Sequence, residues 1–405
     1  MPYFQSGYSK KFNATPIKAN GVYLFFSDGH KCLDFSGGNF GENILGYSHP
    51  ILEKSIINAI NTGLLNQSNN FNNFEKEKLE RKLCELAYFL DEKNEINGKV
   101  IFSNSISESS ENAIKIVRNR YNKLCDRKYS EVICVKGGFC GNTITTISAN
   151  GNYKEISEIE PKGSGFVIAN KPTLQEINNL ITEDTSAVML ETISFSNGIE
   201  ECDYEFLRKL RELCNYHRIG LILNETICGV GRTGSFYAFQ DYNIKPDIIT
   251  IGYALACGLS LSACIVNNEF SKFIVKDRFE TITINNLLYY TANNVIDKIS
   301  QVNFLRNVDY LGDLLKTKLE TLSKQYNNVI QYVSGIGLML GIKIRDEIPV
   351  KRFANLLFSN GLITTILEDN KLGILPPLTI TDRHIQEAYD IIINTIEELS
   401  IIERY

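Results

Sequence analysis

Residues 220–234 read Gly-Leu-Ile-Leu-Asn-Glu-Thr-Ile-Cys-Gly-Val-Gly-Arg-Thr-Gly. A short apolar run, 220–223, ends on the polar pair Asn224-Glu225, and a glycine-rich loop then closes on Arg232-Thr233-Gly234. An apolar run of this length between polar turns suits a strand buried on both faces. The stretch before it, 204–216, has the spacing of an amphipathic helix. Working outward, similar runs predict strands at 99–102, 131–135, 187–191, 248–251 and 261–266. Between the first two, 109–121 predicts a helix with Ala113, Ile114, Ile116 and Val117 on its apolar side. Alternation of strand and helix predicts an α/β fold: a mostly parallel central sheet with helices on both faces.

Beyond residue 300 the pattern changes. Helices are predicted at 308–326, 350–360 and 382–399, around a few strands such as 338–344. This predicts a smaller C-terminal α+β domain. Near the N-terminus, 21–26 and 31–35 have β character, with a turn at 27–29. The predicted organisation is an N-terminal segment, 1–45, packing with the small domain or a partner subunit. A large domain, 46–299, and a small domain, 300–405, follow.

Composition narrows the function. The chain has 405 residues, 43% hydrophobic and 22% charged, with a formal charge of -5. These values suit a globular protein and offer no polycationic surface, so nucleic acid is excluded as a partner. No apolar run is long enough to span a bilayer, and no membrane partner is expected. The N-terminus lacks the layout of a signal peptide. The ten cysteines are scattered without a CxxC pair, which predicts reduced thiols and a cytoplasmic location. Four distant histidines predict no metal site. The asparagine-rich stretch 66–73 reads as a solvated loop.

The order of several motifs resembles the class III (ornithine/acetylornithine aminotransferase-like) pyridoxal-phosphate-dependent aminotransferases. They are Asp34-Phe35 with Gly46-Tyr47-Ser48-His49-Pro50, Phe102 to Glu108, Gly138 to Thr143, Asn224-Glu225 with Gly229 to Gly234, and Pro246 to Gly252. Gly335 to Gly341 and Leu375-Pro376-Pro377-Leu378 complete the set. The resemblance covers nearly the whole chain. It implies the pyridoxal-phosphate-dependent transferase (aspartate aminotransferase-like) fold, and a homodimer with its sites at the interface.

The resemblance also implies where a cofactor would sit. The family's imine-forming lysine falls on Tyr253, and a phenol forms no imine. The family aspartate that keeps the pyridine nitrogen charged falls on Asn224, beside Glu225. The glycine of the phosphate turn falls on Ile106, with Ser107 retained. Phe139 matches the aromatic residue that stacks on the ring, with Cys140 and Asn142 where His and Arg are usual. Thr281 matches the threonine that reaches the partner's phosphate. The substrate-carboxylate arginine falls on Gly373, and Glu191 is retained ahead of Ser194 and Phe195.

Taken together, these departures predict a chain that has lost conventional transaminase chemistry. It would be a scaffold, a regulator or the inactive partner of an active aminotransferase, with no covalent cofactor. In this reading Ser107, Phe139, Asn224, Glu225 and Thr281 line a vestigial pocket, and Ser107 caps the helix that follows it. A second reading is an enzyme with changed chemistry. Its pocket would hold pyridoxal or pyridoxamine phosphate non-covalently, or another phosphorylated or acidic metabolite, with Tyr253 as proton donor. A third is conventional amino-group transfer through another lysine, Lys136 and Lys154 being nearest in motif terms. Cys140, Cys228 and Cys257 fall within the same segments, but no histidine accompanies them there, so they read as packing residues.

Overall fold

The computed structural model describes residues 14–38, 40–65, 71–151, 160–275, 279 and 285–402. The described residues open with an antiparallel meander, β1 (Pro16–Asn20), β2 (Tyr23–Phe26) and β3 (Lys31–Asp34). Asp34 is fully buried at the end of β3. Its carboxylate accepts from the Ser36 amide and hydroxyl, the Gly38 amide and the Tyr47 hydroxyl. One side chain thus ties down the 36–47 loop, and this explains why a buried aspartate ends the strand.

The central sheet contains β4 (Gly98–Ser103), β5 (Glu131–Val135), β6 (Phe166–Ala169) and β7 (Thr185–Glu191). After a two-residue-per-strand hairpin, β8 (Ile193–Ser194) and β9 (Glu200–Glu201), it adds β10 (Gly220–Glu225), β11 (Ile248–Ile251) and β12 (Ser262–Asn267). The spatial order is β4-β12-β11-β10-β7-β5-β6. The β11-β10-β7-β5-β6 neighbours pair in parallel. β12 pairs antiparallel with both β11 and β4, so it alone runs against the other six. Every residue of β7, β10 and β11 is buried, as their largely apolar runs predict.

Helix Ile106–Cys125 starts at a capping box: Ser105 Oγ accepts from the Glu108 amide, and the Glu108 carboxylate accepts from the Ser105 amide. The cap is therefore Ser105 and not Ser107. Ile106 is the first helical residue with an ordinary negative φ, so the turn needs no glycine there. The helix predicted from 308 begins earlier, spanning Val302–Gln325. Its fully buried stripe starts at Val308, and the turn before it packs Phe304 and Leu305 only partly against the core.

The C-terminal sheet orders β13 (Ile330–Ile336), β14 (Met339–Ile344), β17 (Lys371–Ile374) and β16 (Thr365–Leu367). β15 (Leu362–Ile363) leaves this region and pairs in parallel with β3, joining the N-terminal meander to the C-terminal part of the chain. Among the described residues, no helix is long and apolar enough to cross a membrane.

Candidate functional site

The site gathers at the carboxyl ends of β10 and β11, where open α/β sheets bind ligands. Asn224, the fifth residue of β10, is 2% exposed. Its Nδ2 donates to the Phe139 carbonyl, while its Oδ1 accepts from the Thr226 amide at 3.1 Å and the Thr250 hydroxyl at 3.0 Å. The amide therefore ties the Phe139 turn to β10 and β11. Glu225 faces elsewhere. It accepts from Thr192 Oγ1 at 2.9 Å and from the Ala238 and Phe239 amides, each at 2.7 Å. It anchors the 3-10 turn Ala238–Tyr242 and does not line the Phe139 turn.

The first helical turn of Ile106–Cys125 meets the loop 137–143. Ser107 Oγ accepts from the Asn142 amide at 2.9 Å, which leaves its hydroxyl proton available to a ligand. Tyr253 follows Gly252 at the end of β11 and opens a short 3-10 turn, Tyr253–Ala256. Burial raises its phenol above the ordinary value and the nearby Glu42 carboxylate adds to this, whereas a bond from the Ile106 amide opposes it. The phenol thus meets the helix start. Ser107, Phe139, Asn224 and Tyr253 come together; Glu225 stands behind them; Thr281 lies outside the described residues.

An aromatic wall flanks this cluster. Phe40 packs edge-on to Phe195, with ring centroids 5.1 Å apart, and lies 6.5 Å from Phe139. Glu191 holds both loops that carry these rings. Its carboxylate accepts from the Phe195 amide at 3.2 Å and from the Phe139 amide. The position opposite, Gly373, is walled off: a Cβ there would meet Leu375 at 3.1 Å and Leu367 at 3.2 Å. The cysteines are packing groups. Cys140 donates to Asn150 Oδ1 at 3.0 Å, Cys257 contacts Asn43 Oδ1 at 3.4 Å, and burial pushes the Cys140 and Cys228 thiols far up.

Two buried carboxyls make stability pH-dependent. Burial raises Glu191 to about 8, against the Phe139 and Phe195 amides; it raises Glu225 to about 7, against Thr192 and two amides. In the unfolded chain both ionise near the ordinary 4.5. Between that value and their raised ones, the folded chain holds the extra protons, so stability falls as pH rises. The thermal midpoint should decline from pH ~5 to pH ~8, and Glu191→Gln should flatten that decline. An unchanged slope in this variant would assign the fall to other groups.

Sequence reasoning missed several participants. Thr250 interrupts the otherwise apolar β11 and Lys371 heads the buried β17, each a signal of a specific polar partner. Phe40 and Glu42 sit in the early glycine-rich loop and gave no such signal.

With seven mostly parallel strands, covering helices and a smaller C-terminal sheet domain, the architecture is the pyridoxal-phosphate-dependent aminotransferase fold. The ornithine aminotransferase of Toxoplasma gondii, crystallised with partial occupancy of PLP at its active site, superposes with a TM-score of 0.88. It is 20% identical, over 99% of this chain and 95% of that one. The chain belongs to the class III aminotransferases, whose family model (Aminotransferase class-III) matches residues 4–396. The acetylornithine aminotransferase of Aquifex aeolicus is 32% identical over 396 residues, 97% of this chain and 99% of the relative. That of Methanocaldococcus jannaschii is 31% identical over 384 residues, 95% and 92% of the two chains.

These relatives correct three expectations. The reading as a scaffold, regulator or inactive partner, the alternative of changed chemistry with Tyr253 as proton donor, and the absence of a covalent cofactor do not stand. Likeness to acetylornithine aminotransferases extends end to end, whereas those readings rested on a handful of positions.

Proposed function

We propose that this chain transfers an amino group from an N-acetylated ornithine-type amino acid to a 2-oxo acid, as an acetylornithine aminotransferase using pyridoxal phosphate. The observation that carries this is the 32% identity to the Aquifex aeolicus enzyme across 97% of the chain. The cofactor, when bound, supplies an electrophilic aldehyde and an electron sink.

The residues present fit part of that group. Ser107 keeps a hydroxyl to donate to a phosphate, and Phe139 offers an aromatic face beside Asn224. They do not fit a cofactor anchored at residue 253, the position onto which the resemblance carries the family lysine, because a phenol forms no imine. No step is therefore assigned to Tyr253. The amine comes from another lysine. Lys136 is exposed, directly follows β5 and precedes the 137–143 loop; Lys154 lies outside the described residues. The same reading includes a homodimer.

The test is to add pyridoxal phosphate to the full chain, record the visible spectrum, reduce with borohydride and map the product by mass. One reduced adduct on a single lysine is expected, retained in Tyr253→Phe and lost when that lysine becomes arginine. No imine band and no adduct at saturating cofactor would overturn the proposal.

A further inference from the structure

Lys371 begins β17 and is 3% exposed, an unusual place for an ammonium group. Its Nζ donates to the Asn197 carbonyl at 3.0 Å and to Glu200 Oε1 at 2.7 Å, and lies 5.3 Å from the Tyr332 ring centre. Burial works to lower its pKa, yet Glu200 and Tyr332 leave it raised, so the group is cationic. Both hydrogen-bond partners belong to one segment, 193–201, which leaves the central sheet after β7. The chain is crowded around the contact: a Cβ at Gly198 would fall 2.0 Å from Lys371 Cδ. Ser334 Oγ also donates to the Gly198 carbonyl at 3.2 Å.

We infer that Lys371 is a positioning residue. It latches the 193–201 segment onto the C-terminal sheet and thereby sets Phe195 against Phe40 in the aromatic wall of the site. The segment itself is short and has little pairing of its own; β8 and β9 contribute two residues each. Without Lys371 it would keep local bonds, such as Gly198 and Ile199 amides to the Phe195 carbonyl, and the longer contacts from Ser334, Tyr332 and Lys316. Lys371 reaches it from another sheet and supplies both a charge and a carbonyl ligand. Glu200 is half exposed, so it stays solvated if the lysine is removed. The latch stands on this geometry; only its consequence for turnover rests on the aminotransferase reading.

Hydrogen–deuterium exchange on the full chain tests the latch, comparing wild type with Lys371→Met, Lys371→Arg and Glu200→Gln. In Lys371→Met, amides of 195–199 should exchange about ten-fold faster, while those of β7 keep their rates. Lys371→Arg should restore most of the protection, because a second cation can serve both oxygens. Unchanged exchange at 195–199 in Lys371→Met overturns the inference. If that variant loses protection everywhere, Glu200→Gln decides: faster exchange confined to 195–199 supports the latch, and unchanged exchange overturns it. Turnover with N-acetylornithine and 2-oxoglutarate adds a second readout, a larger rise in KM than fall in kcat that Lys371→Arg reverses. An inactive wild type would count against the aminotransferase reading and leave the exchange result to judge the latch.

Discussion

Replacing Arg232 by methionine should cost about 3–5 kcal/mol of folding stability, the largest loss expected from any single side chain here. Arg232 is fully buried. Nη1 donates to the Leu338 carbonyl at 3.2 Å and to the Pro376 carbonyl, and Nη2 donates to the Gly41 carbonyl at 2.8 Å. Burial lowers its pKa to about 9, which still leaves the guanidinium charged at neutral pH. The three carbonyls come from the early loop, the β13–β14 turn and the segment after β17. One planar fork therefore joins three parts of the chain, a task suited to a guanidinium with its five fixed donors. Methionine matches much of the volume but leaves three buried acceptors without donors, each worth about 1–3 kcal/mol when orphaned. Lysine has one donor centre and cannot reach all three, so Arg232→Lys should also be destabilised. Urea unfolding would show a lowered midpoint with an unchanged slope. A loss below about 1 kcal/mol would mean that water or local movement satisfies the carbonyls.

The early loop approaches this clamp without slack. A Cβ at Gly41, where φ is +77°, would lie 2.8 Å from Arg232 Nη2. This gives a physical reason for the pairing of two motifs that stand far apart in sequence, Gly41 and Arg232-Thr233-Gly234. The positions of the strands were legible because runs such as 187–191 and 248–251 are buried throughout. Their directions were not. β12 is as apolar as the strands that run parallel to one another beside it, and apolar periodicity carries no information about which way a strand runs.

The helix at Ile106 teaches a similar lesson. Ser105 and Ser107 are both plausible caps by residue type. The spacing Ser105-x-x-Glu108 marks the first of them, since a reciprocal pair satisfies two amides. Freed from capping, Ser107 is left to receive the Asn142 amide. At the site, motif order named Ser107, Phe139, Asn224 and Tyr253, and the fold sets these four near one another. It also placed Glu225 in the pocket, although three donors turn that carboxylate toward Thr192, Ala238 and Phe239. Residue identity at a motif position says which group is present; only the neighbouring strands and turns say where it points. The functional expectation erred in giving the same few positions more weight than likeness along the whole chain.

A second large effect is expected at Gly141. Gly141→Ala should destabilise the fold by about 2–4 kcal/mol and displace Phe139 from the site. Gly141 has φ +129°, and a Cβ there would lie 2.2 Å from Ser107 Oγ, 2.7 Å from its Cα and 2.8 Å from its Cβ. The hydroxyl could rotate away, but the Cα belongs to the first turn of Ile106–Cys125 and cannot move alone. The loop must therefore lift off the helix. That breaks the Asn142-to-Ser107 bond and strains the contacts on either side, Cys140 to Asn150 and Asn224 to the Phe139 carbonyl. Ser107→Gly paired with Gly141→Ala should recover only part of the loss, because the 2.7 Å contact with Cα persists. Thermal unfolding of the two variants, read beside titration with pyridoxal phosphate, checks both halves. The single variant should melt lower and bind the cofactor more weakly. Full recovery in the double variant would show that the hydroxyl, and not the helix backbone, sets the distance between the Phe139 turn and the helix start.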